Sequence, residues 1–414
     1  NMMVEMNVDP YLLLENLEKI LSSDPHIDEV GFIHPAQFAA FGQDRCASSS
    51  SEDACQVFDE ITDAKPVVEN SFSNFFWHRE HKLGISTLIL FPLYNAARDA
   101  FLNAYIRYRD SMDDASVETM DEVMKHSRGL ILLSSDHGTA WNSRKMIISK
   151  NPLLPVLMDE LRLSALVLSH SPKSERTWSH RRWAIKIIAG SHLGSVEEIA
   201  SKESEFVKSI VERFKMNYRA WSHRCWIVSY MAYPQLLHEI EDSHGWSALH
   251  VADNSCYHYR ALLLLKMAEE IRRRGGQCSE FHRLWKEELH WTAALIDRFV
   301  GREALWLHRR FLALTWAKHL KDDRDFGSDH RDYDGDGVGK FVKDEIVLVQ
   351  SCSVVPDDDD FDDHKAQAVH SGTYISWLAK QMPDLFLNEL RKSSENYDRI
   401  KVIMNDIGRD FLLD

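Results

Sequence analysis

Apolar and aromatic positions along this chain recur at helical spacing. Trp178, Arg181, Arg182 and Ile185 fall at i, i+3, i+4 and i+7, one face of a helix. His180, Trp183 and Ile187 mark a neighbouring face. A helix occupied on two faces is buried on two sides, which predicts the inner layer of a solenoid. A second helix precedes each such segment, at 161–169 before Trp178, 203–214 before Trp221 and 284–299 before Trp306. Short polar turns at 171–174 and 215–217 join the two helices of a pair. Pro172 ends the helix before it, and Asn217 is a good N-cap for the helix after it.

The pattern repeats. In five segments an aromatic residue is followed three positions later by arginine: Trp141 and Arg144, Trp178 and Arg181, Trp221 and Arg224, Tyr257 and Arg260, Trp306 and Arg309. The aromatic anchors step by 37, 43, 36 and 49 residues. Self-similarity at such a period is the mark of a stacked-repeat architecture. The expected fold class is all-α, an α-α solenoid built as a crescent of antiparallel helix pairs with at least five repeats. A buried tryptophan removes roughly 150–250 Å² from water. At about 25 cal/mol per Å² that contributes a few kcal/mol per unit. The arginine lies beside the ring on the same helix, where it can stack on it or bond the end of an adjacent helix. Aromatic and arginine together read as a structural staple. His180, His223 and His308 recur at the same register, and a residue that repeats with the unit serves the unit, as core packing or an inter-helix hydrogen bond rather than catalysis.

Outside the repeats the pattern changes. Residues 1–42 read as a lead-in with a helix at 11–22, and 43–76 as a flexible acidic and Ser-rich insertion. The helical-hairpin domain is placed at 77–320, with helices resuming at 83–108 and 120–133. Residues 321–363 read as an acidic loop region, and 364–414 as C-terminal helices at 364–380 and 384–404. Asp332, Asp334, Asp336 and Gly337 resemble the start of a calcium loop, but its twelfth position is Lys343 where a bidentate glutamate is required.

Charge narrows the partners. The 49 basic and 64 acidic residues leave a net charge of −15. Such a surface repels a nucleic-acid backbone and an anionic membrane surface. No apolar run reaches the ~20 residues that cross a bilayer. Asp9 and Pro10 precede an amphipathic stretch, with no basic start or cleavage site of a signal peptide, and the final Leu-Leu-Asp holds no prenyl-acceptor cysteine. The six cysteines, none in a Cys-x-x-Cys pair, read as reduced thiols of a cytoplasmic protein and suggest no zinc site. Arg181, Arg182 and Lys186 form a basic cluster that reads as a helix face pairing with acidic neighbours.

The segment Asn217-Tyr218-Arg219-Ala220-Trp221-Ser222-His223-Arg224-Cys225-Trp226 resembles the repeat of the protein prenyltransferase α-subunit family, Asn-Tyr-x-x-Trp-x-His-Arg-x-Trp. Trp178-Ser179-His180-Arg181-Arg182-Trp183 repeats it, and the likeness spans roughly residues 120–320. Residues 24–31 and 81–84 are similar to a divergent branch of that family. The resemblance implies an α-type subunit that wraps a prenyltransferase β-subunit, for this branch that of the Rab geranylgeranyltransferase. The heterodimer would transfer a geranylgeranyl group from its diphosphate to a cysteine near the C-terminus of a protein substrate, such as a SNARE already carrying another lipid. Zinc would sit on the β-subunit; this chain would bind no cofactor, and the isoprenoid diphosphate would be co-substrate. A family lysine five positions before the second unit's Trp approaches the diphosphate, and Lys173 matches it. A tyrosine three before the third unit's Trp lies at the same pocket, and Tyr218 matches it. Arg219 stands where the family often has histidine, and Glu175 where it often has tyrosine. Lys173, Tyr218 and Arg219 are thus the candidate catalytic residues. The chemistry fits: charge grows on the diphosphate oxygens as the carbon–oxygen bond breaks, and a cation at a helix start stabilises it. The alternatives are a non-catalytic helical-repeat scaffold, or a regulatory α-like subunit that binds a β-subunit without supporting turnover.

Overall fold

Helix α1 (Pro10–Ser23) starts where Asp9 accepts a hydrogen bond from the Tyr11 amide and proline takes the first helical position. Its Leu13, Leu14, Leu17 and Leu21 are buried along one stripe. The computed structural model of the chain describes residues 8–38, 74–111, 116–191, 196–275, 278–325, 337–356, 362–392 and 394–406. It divides into two units, residues 1–223 and 224–414.

In the first unit three short strands follow α1: β1 (Glu29–Ile33), β2 (Phe76–Arg79) and β3 (Lys82–Ser86). Their order is β1-β3-β2, with β1 parallel and β2 antiparallel to β3. A Cβ at Gly84 would lie 2.5 Å from the Ile33 Cδ1, so a larger residue there would push the end of the Ile33 side chain aside. Helices resume as α2 (Leu90–Ser111), α3 (Val117–Leu133), α4 (Gly138–Lys150), α5 (Leu154–His170), α6 (Glu175–Ser191), α7 (Val196–Arg213) and α8 (Tyr218–Ile227). Neighbouring helices pack together: α3 on α4, α5 on α6, α6 on α7, and α4 on α6. Leu83, expected in a helix, lies instead in β3. The left-handed turn at Glu80 and His81 reverses the chain, and β1 then supplies the hydrogen-bonding edge that makes 82–86 a strand.

The second unit continues with α9 (Tyr233–Leu249), α10 (Asn254–Arg273), α11 (Cys278–Arg298), α12 (Glu303–Asp325), α13 (Gly337–Cys352), α14 (Asp363–Gln381), α15 (Pro383–Arg391) and α16 (Ser394–Asp406). The architecture is an all-α helical repeat, with α13 and α14 adding a further hairpin beyond the five motifs. Helix α13 corrects the reading of 321–363 as a loop. Buried Phe341, Val342, Ile346 and Val349 give it an apolar face that the acidic runs on either side obscure. The C-terminal helix expected at 384–404 is two helices, α15 and α16. Of the insertion read at 43–76, residues 43–73 lie outside the described residues and Phe76 opens β2; of the calcium-like run, 332–336 lie outside them and Gly337 opens α13. Among the described residues no helix is long and apolar enough to cross a membrane.

Candidate functional site

The histidine and arginine of each motif hold the hairpins together through buried glutamates. In the first unit Arg144 donates to Glu160 through Nε at 3.0 Å and Nη2 at 2.5 Å, and His180 Nε2 meets the same carboxylate at 2.7 Å. One step on, Arg181 donates to Glu203 at 2.7 and 2.5 Å, and His223 Nε2 lies 2.8 Å from it. In the second unit Arg224 and Tyr259 share Glu239, Arg260 and His308 share Glu288, and Arg309 and Tyr374 share Glu345. Each arginine therefore reaches forward to the next hairpin, and the residue before it reaches back within its own. A carboxylate only accepts, so the imidazoles donate through Nε2–H.

The arginines do more than pair. Nη1 of Arg181 donates to the Leu161 carbonyl at 2.6 Å and the Ser164 hydroxyl at 2.9 Å; Arg144 does the same with Met124 and Ser127, and Arg260 with Ile240 and Ser243. The expected contact with a helix end is thus a contact with the body of the preceding helix. The stacking partner is also different: Arg181 lies over Phe206 at 4.2 Å and Arg260 over Trp291 at 4.5 Å, not over the motif tryptophans. Those tryptophans pack on the next motif, Trp141 against His180 at 4.4 Å and Trp178 against His223 at 4.8 Å between ring centres. Their indole N–H groups donate to carbonyls six residues back, Trp141 to Ser135 and Trp178 to Pro172.

Electrostatics follows from this geometry. Burial alone would raise Glu160, Glu203 and Glu288, but the adjacent arginine charge and the imidazole hydrogen bond outweigh it and hold each at about 2. Burial lowers His180, His223 and His308, so each is neutral near pH 7. These three histidines have no free proton-transfer role; they are spent on packing.

The exposed chemistry lies at the turns that precede α6 and α8. Ser174 caps α6, accepting from the Thr177 amide at 3.3 Å, and its hydroxyl donates to Asp136 at 2.7 Å in the turn before α4. Asn217 caps α8, as its position predicts, accepting from the Ala220 amide at 3.2 Å. Its Nδ2 donates to the Pro172 carbonyl at 2.9 Å, which ties the two turns together. Lys173 and Tyr218 stand on this edge, Lys173 exposed and Tyr218 with 68% of its surface open. Beside Tyr218, Met216 has a left-handed backbone (φ 57°) and is 71% exposed. Arg219 is also on the edge, ion-paired with Glu175, which accepts in addition from Arg182 at 2.8 Å. The turns thus bring Lys173, Tyr218 and Arg219 to one rim, with two helix N-termini pointing at it. Among the described residues no group of three or more His, Cys, Asp or Glu side chains is placed to hold a metal ion. Burial pushes the Cys225 and Cys256 thiols up to about 12, which makes them poor nucleophiles.

Residues 157–188 and 200–231, the hairpins that carry this rim, match the model of the protein prenyltransferase alpha subunit repeat. The chain is similar to protein prenyltransferase alpha subunit repeat-containing protein 1-A of Xenopus laevis, 32% identical over 46% of this chain and 54% of the relative. It is likewise similar to protein prenyltransferase alpha subunit repeat-containing protein 1 of Homo sapiens (30% identical, over 46% of this chain and 58% of the relative) and of Danio rerio (32%, over 47% and 54%). The matched region spans about half the length of these curated relatives.

The glutamates are the residues that motif reading missed, and a signal for them exists. Glu160, Glu203, Glu239 and Glu288 each precede the histidine or tyrosine they bind by 20 residues. The separation inside the hairpin is 20 in these four and 29 for Glu345 and Tyr374, whereas between hairpins the arginine-to-glutamate separation runs 16, 22, 15, 28 and 36 residues.

Proposed function

We propose that this chain is the α-type subunit of a heterodimeric protein prenyltransferase. With a β-subunit it supports transfer of a geranylgeranyl group from its diphosphate to a cysteine thiolate of a cytoplasmic protein substrate. The observation that carries this reading is the rim where Lys173, Tyr218 and Arg219 meet on two matched repeats. In the reaction a carbon–sulfur bond forms as the carbon–oxygen bond to diphosphate breaks, and the electron pair leaves on the diphosphate oxygen. The Lys173 ammonium and the N-terminus of α6 stabilise that charge. The Tyr218 hydroxyl donates a hydrogen bond to it. Zinc, which lowers the pKa of the attacking thiol, and the isoprenoid cavity belong to the β-subunit in this reading, and the Rab geranylgeranyltransferase β-subunit is the proposed partner.

A second reading has its own support. Glu175 occupies Arg219 and Arg182. A rim on which Arg219 is already paired suits a regulatory α-like subunit that binds a β-subunit without turnover.

Co-expression with candidate β-subunits, followed by labelled geranylgeranyl diphosphate, separates these readings. A stoichiometric complex that labels a protein cysteine supports the enzyme. A complex without transfer supports the regulatory subunit, and no complex points to a free-standing scaffold. In the active complex Lys173→Ala is expected to leave folding and assembly intact and to lower the transfer rate at least about tenfold, the loss of one charged contact in the transition state. Unchanged turnover would remove Lys173 from the mechanism.

A further inference from the structure

A patch of positive charge lies on the α4–α6 face, in a chain whose net charge is −15. Lys145 of α4 is half-buried, with its ammonium 5.9 Å from the centre of the Trp183 ring on α6. Arg176, in the first turn of α6, lays its guanidinium against Gly138 at the start of α4. Neither Lys145 nor Arg176 has an ion-pair partner among the described residues. Arg182, one face-turn further along α6, is paired with Glu175, and Lys186 is exposed beyond it.

This arrangement costs stability. Arg176 is a cation at a helix N-terminus, where the macrodipole disfavours it. Burial and the charges of Arg176 and Arg182 together lower the Lys145 pKa. The carboxylate beside Arg176, that of Glu175, is engaged by Arg182 and Arg219 and forms no ion pair with Arg176 or Lys145. Lys145 and Arg176, like charges held together with no ion-pair partner among the described residues, mark a surface whose counter-charge comes from another molecule.

We infer that the α4–α6 face, through Lys145, Arg176 and Arg182 around Trp183, is a docking surface for an acidic polypeptide segment of a protein partner. Residues 176–186 extend over ~15 Å of helix, longer than one phosphate group and suited to a run of carboxylates. Trp183 between the cations gives an apolar contact that a polypeptide side chain fills. The acidic remainder of the chain opposes a long nucleic acid or an anionic membrane, both of which extend past the patch. This inference goes beyond turnover and stands whether or not the rim is catalytic.

The test uses the full chain without any β-subunit. Anisotropy of a labelled Glu-rich peptide is measured against a Gln-rich peptide of equal length, over a salt series. The expected result is binding of the Glu-rich peptide only, weakening as salt rises. Lys145→Glu with Arg176→Glu should weaken it at least tenfold, Lys145→Met with Arg176→Gln by less, and Arg283→Glu on α11 by under twofold. Melting temperatures are measured alongside: Arg176 is exposed and Lys145 half-buried, and Lys145→Met with Arg176→Gln should keep the wild-type value within a few degrees. Absence of binding, equal loss in the Arg283 variant, or an unchanged affinity in both double variants overturns the inference. So does tighter binding, through the same residues, of single-stranded RNA or of vesicles of phosphatidylcholine and phosphatidylserine. A chain that binds the peptide yet supports no transfer with any β-subunit refutes the enzyme and leaves the docking surface standing.

Discussion

Glu203 and Glu175 are each shared by two basic side chains, one in the interior of the first unit and one on its rim. Glu203 is buried between Arg181 and His223, and both of its oxygens accept hydrogen bonds from residues fixed in helices. Glu175 is 44% exposed between Arg182 and Arg219, both of which reach into solvent. The same chemistry is structural in one place and adjustable in the other. Removing one partner of a buried pair strands a charge away from water and costs about 3–5 kcal/mol, whereas an exposed pair is worth about 0–1 kcal/mol.

The largest expected effect is therefore that of Glu203→Ala, which leaves Arg181 buried without its carboxylate. Denaturant unfolding should show a loss of about 3–5 kcal/mol, against under about 1 kcal/mol for Glu175→Ala. Equal effects would dissolve the distinction. Trp178→Ala should follow closely, at about 3–5 kcal/mol, because it opens a cavity and removes the ring that packs on His223. A loss under about 1 kcal/mol would mean that the hairpins are not held through the motif tryptophans.

Acid separates the two regions further. Burial lowers the folded pKa of His180, His223 and His308 below 6.5, so the unfolded chain takes up these protons first. Their contribution to stability is complete above pH 6.5 and is lost as pH falls from there. Glu160, Glu203 and Glu288, held at about 2 against 4.5, add a second loss between pH 4.5 and about 2. His180→Asn keeps a hydrogen-bond donor and removes one titrating group. The difference in unfolding free energy between pH 7 and pH 5.5 should be smaller in this variant, by up to about 1 kcal/mol. An unchanged difference would show that His180 does not titrate between the folded and unfolded states.

Much of the interior was legible because a helix repeats its contacts in sequence. Trp178, His180 and Arg181 share a register, and Asn217 and Pro172 announce the turn that sets it. The glutamates were harder, since Glu203 and His223 meet across a hairpin and only their constant separation betrays the contact. The sheet was not legible at all. Its β1 and β3 pair over some 50 intervening residues, and 82–86 becomes a strand between Glu29–Ile33 on one side and Phe76–Arg79 on the other. On the rim, the motif located Lys173 and Tyr218 but said nothing of Glu175 pairing with Arg219, a contact 44 residues apart. Helix α13 escaped notice because its buried Glu345, the partner of Arg309, reads as one more acidic residue in an acidic stretch.

The smallest expected effect on stability is the most informative about function. Glu175→Gln keeps the side chain's shape and removes its charge, releasing Arg182 and Arg219 from an exposed pairing. Unfolding free energy should change by less than about 1 kcal/mol. In an active complex with a β-subunit, a freed Arg219 adds positive charge beside Lys173 where the diphosphate departs. Label transfer should then rise, by about two- to fivefold if the gain is a fraction of a kcal/mol to about 1 kcal/mol. A fall in transfer would instead mean that Glu175 holds Arg219 in its working position, making the exposed pair a positioning device. No change, in a complex that transfers normally, would place Arg219 outside the reaction and leave Lys173 and Tyr218 as the only rim residues on which the proposed chemistry rests.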